Sequence, residues 1–474
     1  MFDAVIIGGG PAGSTAGRLL ADWGYQVVIV NRQSRRPSLA ETLPPSTSRL
    51  FRLIGIHDQI ERAGFYPANG VTSWWGSEQP RAEQYPESGY QVIRTGFDSV
   101  LLDLARQAGA MVRDGSVEHV QLPEPALVRL RSGESLGAKF VLDASGRTGA
   151  IATQGPRIGE PRHRTIAICG VWINVEPVAD PSHTLIESYE DGWTWSVPVS
   201  PTRRFVTTMI NTRETQTVRG DGLLATYTAE LAKTRASRHM LVGSQLERHP
   251  WACDASLYRA RSYSGPQHLL IGDAGSFVDP LSSFGVRKAM SSAWLGAVVV
   301  NTCLRRPEMA RIALEYFDER EHQVYADHLR QTAALFREVA RKEAHPFWTA
   351  RSEARAESEF YTETELTSAL DELKRSPSIH LQRTAFVRTA QAPRVRDREI
   401  VLEEILVLDS LPPGLEYMRG VDLPKLVEIS GGATQIPELF ETYNRVCAPV
   451  ALPNFLSALA LLIAKQVLQN VGSG

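Results

Sequence analysis

The sequence predicts an α/β fold with an inserted antiparallel β-sheet and an extra, mostly helical C-terminal region. Three observations predict it. An apolar run at residues 4–7 leads through a glycine turn into a helical pattern. Residues 184–210 alternate apolar and polar side chains, as antiparallel strands do. From Arg287 onward the apolar residues recur with helical spacing.

The first forty residues predict a dinucleotide-binding βαβ unit of the Rossmann type. The strand AVII is followed by GGGPAG, a helix and a second apolar strand at Val27–Val30. The glycines allow a tight turn, close approach of the backbone to a pyrophosphate, and close packing of the helix on the strand. The free N–H groups of the helix N-terminus would face the phosphates. The residues predicted to bind the dinucleotide here are Gly8, Gly10, Pro11, Ala12 and Gly13.

The second strand ends at the position that normally carries an acidic residue for the ribose hydroxyls. Here that position is Asn31, whose amide oxygen can accept a hydrogen bond without a charge. Arg32 follows directly and could meet the cofactor instead. Both are candidate cofactor-binding residues.

Three further motifs identify the dinucleotide. They are VIRTGFDSVL at residues 92–101, VLDASGR at 141–147 and LLIGDAGSFVDPLSSFGV at 269–286. Together with the glycine turn they resemble the FAD-dependent monooxygenases of the hydroxybenzoate-hydroxylase type, which include flavin-dependent halogenases and geranylgeranyl reductases. The resemblance covers about residues 1–330. It implies FAD and this fold, and it leaves the substrate open.

The resemblance also implies roles for individual residues. Arg94 corresponds to the arginine that reaches the pyrophosphate or the flavin edge, and Asp273 to the carboxylate that binds the ribityl chain. A segment entering a helix is expected beside the isoalloxazine ring, where the helix N-terminus would stabilise negative charge on reduced flavin. Its residues are Pro280, Phe284, Gly285 and Val286.

The expected domain organisation follows from these motifs. Residues 1–160 together with 255–330 form the FAD-binding domain, and residues 161–254 form the antiparallel sheet of the substrate layer. Residues 331–474 form the helical C-terminal region, with breaks at LPPG and SGG. This region could cover the active-site mouth, dock a carrier protein or protein substrate, or serve only in packing.

Residues 192–198 read GWTWSVP and resemble the WxWxIP motif of flavin-dependent halogenases. Trp193 and Trp195 are two residues apart on a strand, so they point to the same face. They are candidates for catalysis and for the substrate pocket, with packing in the sheet core as the alternative. Trp74 and Trp75 are candidates for the same pocket, with the same alternative.

The sequence departs from the halogenases at their lysine. That lysine is expected near residues 65–80, after the AETLPPS stretch, but the first lysine of the chain is Lys139. Arginine cannot replace the amine because it stays protonated. Phe284 also stands where a halogenase carries a hydroxyl beside the halide. These departures favour hydroxylation of an electron-rich aromatic, indole- or phenol-like, through a C4a-hydroperoxyflavin, as in the tryptophan-hydroxylating members of tryptophylquinone maturation.

A general base would assist this reaction. Glu41, His163 and His183 are candidates, although no spacing supports any of them. The alternatives for the whole protein are a halogenase with an amine-free site, a geranylgeranyl-reductase-like flavin reductase, and a flavin-binding redox sensor without turnover.

Composition limits the partners. The net charge of −2 with interspersed signs predicts no nucleic-acid surface. Four widely spaced cysteines predict free thiols and a cytoplasmic location, and no metal-ligand motif is present. The apolar stretch at 455–467 is too short to span a membrane. Because a second GxGxxG is absent, electrons are expected from transiently bound NAD(P)H or from a partner flavin reductase, with O2 as co-substrate.

Overall fold

The computed structural model describes the chain in two compact units, Met1–Ala354 and Arg355–Gly474. It confirms the predicted α/β fold with its nucleotide-binding domain. The described residues are 1–32, 37–122, 126–151, 157–176, 178–211, 222–353, 363–375, 380–411, 417–431, 435–447 and 449–471.

The first unit alternates strands and helices at its start and becomes helical at its end. Its strands are β1 (Phe2–Ile7), β2 (Val27–Asn31), β3 (Ala40–Leu43), β4 (Tyr66–Trp74), β5 (Arg81–Ile93), β6 (Met111–Asp114), β7 (Val117–Gln121), β8 (Ala126–Leu130), β9 (Ser135–Asp143), β10 (Arg157–Gly159), β11 (Thr165–Ile173), β12 (Thr184–Tyr189), β13 (Gly192–Ser200), β14 (Arg203–Asn211), β15 (Gln245–Leu246), β16 (Trp251–Asp254), β17 (Tyr258–Ala260), β18 (Ser264–Gly265), β19 (His268–Leu270) and β20 (Ser276–Phe277). Its helices are α1 (Pro11–Asp22), α2 (Ser46–Leu53), α3 (His57–Arg62), α4 (Arg94–Gln107), α5 (Gly222–Lys233), α6 (Ala236–Met240), α7 (Gly285–Arg305), α8 (Ala310–Ala340) and α9 (Pro346–Ser352).

A mostly parallel sheet forms the nucleotide-binding half, in the order β18-β19-β9-β1-β2-β6. The central strand β1 pairs in parallel with both β2 and β9, so Ile7 lies beside Val30 and Asp143. Ala4, Val5 and Ile6 have no exposed surface. A strand covered on both faces reads as a continuous apolar run, which explains the AVII segment. The turn after β1 therefore opens at the carboxyl edge of the sheet.

The glycine turn after β1 has the geometry that its sequence predicts. Gly8 has a φ of +107°, a conformation that side chains disfavour. A Cβ added to Gly13 would lie 1.8 Å from the carbonyl oxygen of Gly8. Only glycine at position 13 lets α1 approach the end of β1 this closely. Helix α1 also packs along α7, which brings two distant parts of the chain together.

The antiparallel sheet is larger than the sequence predicted. Its order is β15-β11-β14-β13-β12-β4-β5-β3, and β16 pairs with β11. Strands from residues 40–93 thus join the layer that was predicted for 161–254 alone. The link is a parallel pairing of β12 with β4, which places Leu185 beside Thr72. Local alternation identifies a strand, but it cannot show that strands more than a hundred residues apart share a sheet.

The predicted boundary between residues 330 and 331 falls inside α8, which runs without a break from Ala310 to Ala340. The first unit continues through α9 and ends at Ala354. Helix α9 packs against α8, because Phe347 and Trp348 are fully buried beside Phe336. The last two helices of the unit therefore form part of the core around the antiparallel sheet.

The second unit has its own core and contains more strand than predicted. Core residues such as Leu426 and Leu461 are fully excluded from solvent. A long hairpin pairs Val387 with Leu408 and Arg396 with Glu399. No helix in the described part of the chain combines the length and apolarity needed to cross a bilayer. The elements are α10 (Glu363–Arg375), β21 (Leu381–Arg383), β22 (Val387–Arg396), β23 (Glu399–Leu408), β24 (Tyr417–Met418), β25 (Val421–Asp422), α11 (Leu423–Ile429), α12 (Ile436–Val446), α13 (Leu452–Ala464) and β26 (Leu468–Asn470).

Replacing Gly13 with alanine should destabilise the first unit by about 3 kcal/mol, because the added Cβ would overlap a backbone oxygen that cannot move freely. The matched control is Gly96→Ala in α4, where an added Cβ meets nothing within 4 Å. That change should raise stability by up to about 1 kcal/mol, since alanine is the better helix former. Urea unfolding of the FAD-free protein measures both changes. Equal effects of the two substitutions would contradict the packing argument.

Candidate active site

The structure brings three of the sequence-predicted segments to one place. A Cβ on Gly10 would lie 3.9 Å from Nη2 of Arg94, so the guanidinium lies beside the glycine turn. A Cβ on Gly272 would lie 3.0 Å from Cβ of Ala12, so the turn that carries Asp273 abuts the start of α1. Segments from residues 8–13, 94 and 272–274 thus converge at the carboxyl edge of the parallel sheet.

The convergent segments fit a dinucleotide. Helix α1 begins after Gly10 and helix α7 begins after Phe284, and neither N-terminus is capped by a side chain. Their free N–H groups and positive dipole ends are suited to phosphate and to a ring that gains negative charge. A Cβ on Gly285 would meet nothing within 4 Å, which leaves open space at the start of α7. Pro11 is the first residue of α1, and Val286 is the second residue of α7.

Arg94 is held between two carboxylates. Its Nη1 donates to Oε1 of Glu41 at 2.7 Å, and its Nε donates to Oδ1 of Asp98 at 2.9 Å. Burial alone would lower the pKa of Arg94, but the two carboxylates outweigh it and raise the pKa above its usual range. Glu41, a candidate general base, is the ion-pair partner of Arg94.

Asn31 contributes to the turn itself. Its Oδ1 accepts a hydrogen bond from the backbone N–H of Gly9 at 3.0 Å. The oxygen predicted to accept from a ribose is thus engaged in fixing the glycine turn. Arg32 is exposed at the end of β2 and remains a candidate for contact with the cofactor.

The segment before α7 is a folded turn. The Asp279 carboxylate accepts from the backbone N–H of Leu281, and burial raises the pKa of Asp279 to about 6. Ser283 adopts a φ of +52°. Phe284 then precedes α7, and its ring meets the imidazole of His328 edge-on at 5.6 Å. The predicted flavin-side segment from Pro280 to Val286 therefore contacts α8 through Phe284.

Five large rings form an aromatic cluster on one face of the antiparallel sheet. Trp193 and Trp195 stack at 5.7 Å, as their spacing on β13 predicts. Trp75 meets Trp193 edge-on at 6.1 Å. Trp348 of α9 meets Trp75 edge-on at 5.5 Å, and Phe336 of α8 lies 5.7 Å from Trp348. The aromatic cluster is thus Trp75, Trp193, Trp195, Phe336 and Trp348.

The aromatic cluster adjoins the proposed flavin-side segment. Leu281, directly after Pro280, packs against it. Trp195 is partly exposed and also packs against the group that contains Ala40 and Ile93, the neighbours of Glu41 and Arg94. Trp193 is only 1% exposed and has almost no surface with which to contact a substrate. Of the two strand tryptophans, Trp195 is the one in position to line a pocket.

Trp74 does not join the aromatic cluster. Trp74 packs against the hydrophobic group that contains Leu185 of β12. The next residue of β12, Ile186, packs against the aromatic cluster on the other side of the sheet. Consecutive residues of a strand face opposite sides of the sheet. The four tryptophans predicted to share one pocket are therefore divided, with Trp74 on one face and Trp75 on the other.

The two candidate histidines have different surroundings. Both ring nitrogens of His163 lack a hydrogen-bond partner among the described residues, and burial lowers the pKa of His163 to about 3. The imidazole stays neutral and packs beside Phe336. The two ring nitrogens of His183 lie 2.9 Å from Oγ1 of Thr72 and Oε1 of Gln84, and Nε2 also lies 3.2 Å from Oδ2 of Asp180. The role of either histidine as a general base stays a prediction.

Sequence reasoning missed several residues of the site. Asp98 could have been found, since it follows Arg94 by four residues on one helix. Phe336 and Trp348 lie beyond the predicted domain boundary and carry no motif. His328 likewise gave no signal, because only tertiary packing brings it to Phe284. Lys288 lies in the first turn of α7, but its contact with Asp273 depends on how that helix packs against the Asp273 turn.

Comparison with known proteins agrees with this geometry. A family model described as FAD binding domain matches residues 1–326. Tryptophan 2-halogenase of Chondromyces crocatus is 30% identical over 383 residues, covering 74% of this chain and 71% of the relative.

Two solved structures share the fold over almost the whole chain. The flavin-dependent halogenase CmlS superposes with a TM-score of 0.80 at 22% identity, covering 100% of this chain and 97% of that one. The peptidyl tryptophan dihydroxylase QhpG superposes with a TM-score of 0.69 at 23% identity, covering 98% and 99%. At these identities the two structures establish the fold alone. The family match and the halogenase relative decide the identity: the chain belongs to the FAD-binding monooxygenase family, as an FAD-dependent oxidoreductase of the branch that includes the flavin-dependent halogenases.

Proposed function

We propose that this protein hydroxylates an electron-rich aromatic substrate of the indole or phenol type. The observation that carries the proposal is the position of the lysines in the sequence and the burial of Lys288. None occurs in the first 138 residues, where the halogenases place their reactive amine. Lys288, the lysine nearest in sequence to the flavin-side segment, is 1% exposed and donates to two backbone carbonyls. Its Nζ is buried and engaged by those two carbonyls, so it does not face a substrate.

The roles of the predicted residues follow from the site. Reduced FAD, when bound, supplies an activated oxygen atom derived from O2. Gly10, Arg94 and Asp273 would hold the cofactor, and the N-terminus of α7 would stabilise charge on its ring. Trp195 and Leu281 would exclude water from the reacting atoms and stack on an aromatic substrate. Phe284 would fill the space that a halide would need.

His328 is our candidate for the proton acceptor. Its Nδ1 lies 2.7 Å from the carbonyl oxygen of Val324, which can only accept, so Nδ1 carries the proton. Burial lowers the pKa of His328. A neutral ring in this tautomer offers the lone pair of Nε2, which could receive a phenol or indole proton.

The proposal includes a substrate held on another protein or carrier, electrons from NAD(P)H or a partner flavin reductase, and a cytoplasmic location. Support for a protein-held substrate is the likeness in fold to a dihydroxylase named for peptidyl tryptophan. Support for the cytoplasmic location is that none of the four cysteines forms a disulfide.

A second candidate function is halogenation. Its specific support is the 30% identity to tryptophan 2-halogenase. It would require a site that works without an accessible lysine amine.

Isotope labelling distinguishes the two functions. We expect turnover of an indole or phenol substrate with reduced FAD and ¹⁸O2 to incorporate one ¹⁸O atom, and added chloride or bromide to leave the product mass unchanged. Mass spectrometry of the product measures both. A halogenated product would replace the hydroxylation proposal with the second candidate. Absence of O2 consumption with any aromatic would argue for the reductase or sensor alternatives.

Replacing Trp195 with alanine should uncouple flavin oxidation from hydroxylation, because water would enter the space that its ring now fills. We expect product formed per reduced flavin to fall by about tenfold or more. Trp74→Ala is the matched control, since Trp74 lies on the opposite face of the same sheet. Product yield and peroxide release are measured together. Equal losses in both variants would indicate general damage to the sheet rather than loss of a pocket wall.

A further inference from the structure

Lys288 is a buried cation directly behind the turn that carries Asp273. Its side chain is 1% exposed. Its Nζ donates to the carbonyl oxygen of Gly272 at 3.1 Å and also contacts the carbonyl oxygen of Ser276. The same Nζ lies 3.7 Å from Oδ1 of Asp273. The ammonium thus joins both ends of the five-residue turn and faces the carboxylate between them.

Helix α7 holds Gly272 through both of its backbone polar groups. Ser292 lies one helical turn after Lys288, so the two side chains share one face of the helix. The Ser292 hydroxyl accepts from the N–H of Gly272 at 3.1 Å, while Lys288 donates to the Gly272 carbonyl. Gly272 needs this support because its φ of +61° is a conformation of low intrinsic stability for most residues. A matched pair of contacts, one charged and one neutral, therefore fixes the turn.

A charge buried this deeply must be balanced nearby. Two carboxylates are in range of Lys288. Glu321 of α8 is 3% exposed, and burial raises its pKa to about 7 even though the Lys288 ammonium opposes that rise. Asp273 is the second carboxylate, with its Oδ1 3.7 Å from Nζ of Lys288 and its side chain 30% exposed.

A purely structural role would not require a charge here. Helix α7 is otherwise filled by small and apolar residues such as Ala289, Met290 and Ala293, and an apolar residue at 288 would pack among them. Burying an ammonium costs free energy. The ammonium of Lys288 donates to the Gly272–Ser276 turn, which carries the candidate cofactor-binding residue Asp273. This placement connects Lys288 to Asp273.

We propose that Lys288 is a positioning residue for FAD. Its ammonium fixes the Gly272–Ser276 turn and orients the Asp273 carboxylate so that this carboxylate accepts hydrogen bonds from hydroxyl groups of the cofactor. This inference rests on the proposed role of Asp273. Lys288 acts through Asp273 and does not touch the reacting atoms.

The test is a double-mutant cycle on FAD affinity. We expect Lys288→Met and Asp273→Ala each to weaken FAD binding by about tenfold or more. The double variant should bind FAD no more than about threefold worse than Asp273→Ala alone, because the lysine has lost the group through which it acts. Fluorescence titration of the FAD-free protein measures the dissociation constants. Lys288→Arg, which keeps the charge, should recover most of the affinity, whereas Lys288→Gln should not.

Two controls separate positioning from folding. Lys342→Met removes an exposed lysine in the turn after α8 and should leave FAD affinity unchanged. Ser292→Ala removes the uncharged hydrogen bond to the N–H of Gly272 and should weaken FAD binding less than Lys288→Met does. If Lys288→Met does not fold, as judged by a cooperative unfolding transition, the arginine and glutamine variants carry the comparison.

Wild-type affinity in Lys288→Met, or losses that simply multiply in the double variant, would overturn the positioning role. Equal affinity of the arginine and glutamine variants would overturn it as well, since the charge would then be irrelevant. If Asp273→Ala binds FAD normally, the proposed role of Asp273 fails and the positioning role fails with it. If Asp273→Ala weakens binding while Lys288→Met does not, only the lysine inference is lost.

Discussion

The contact between Gly13 and the carbonyl oxygen of Gly8 is the constraint on which the rest of the site depends. It sets the depth at which α1 meets the parallel sheet. The position of α1 then sets that of α7, because Ala12 and Ala289 both approach Gly272 closely. Small side chains at these points let the glycine turn and the Asp273 turn converge. Larger ones would separate the two halves of the cofactor site.

The aromatic cluster connects that cofactor site to the antiparallel sheet. Trp195 packs on one side against the group that contains Leu281 and on the other against the group that contains Ile93. Trp348 closes the far side of the cluster, where its Nε1 donates to the carbonyl oxygens of Tyr189 and Glu190. Burial and hydrogen bonding keep these rings in fixed orientations. The same rings therefore serve as core and, at the partly exposed Trp195, as a candidate pocket wall.

Three buried cations of the first unit, Lys288, Arg204 and Arg351, donate to backbone carbonyls. Lys288 follows this pattern at Gly272 and Ser276. Arg204 donates to the carbonyl oxygens of His183 and Ser196, and burial lowers its pKa to about 10. Arg351 of α9 donates to the carbonyl oxygen of Phe347 in its own helix. It also donates to the carbonyl oxygen of Arg164, directly before β11. Carbonyl dipoles can hold a cation while also fixing the loops that provide them. Each of these three cations thus links backbone segments of the first unit.

The sequence by itself determined what depends on local backbone geometry. Gly8 and Gly13 predicted the turn because the positive φ of Gly8 and the close backbone contact at Gly13 exclude a larger residue. Trp193 and Trp195 were correctly placed on one face because side chains on a strand alternate. The family, the cofactor and the α/β class followed from such motifs. Only the tertiary structure decided which distant segments meet. It placed Trp74 and Trp75 on opposite faces, engaged Glu41 with Arg94, and brought Trp348 and Lys288 to the site. These contacts arise from packing between helices and strands far apart in the chain, where no local spacing records the neighbour.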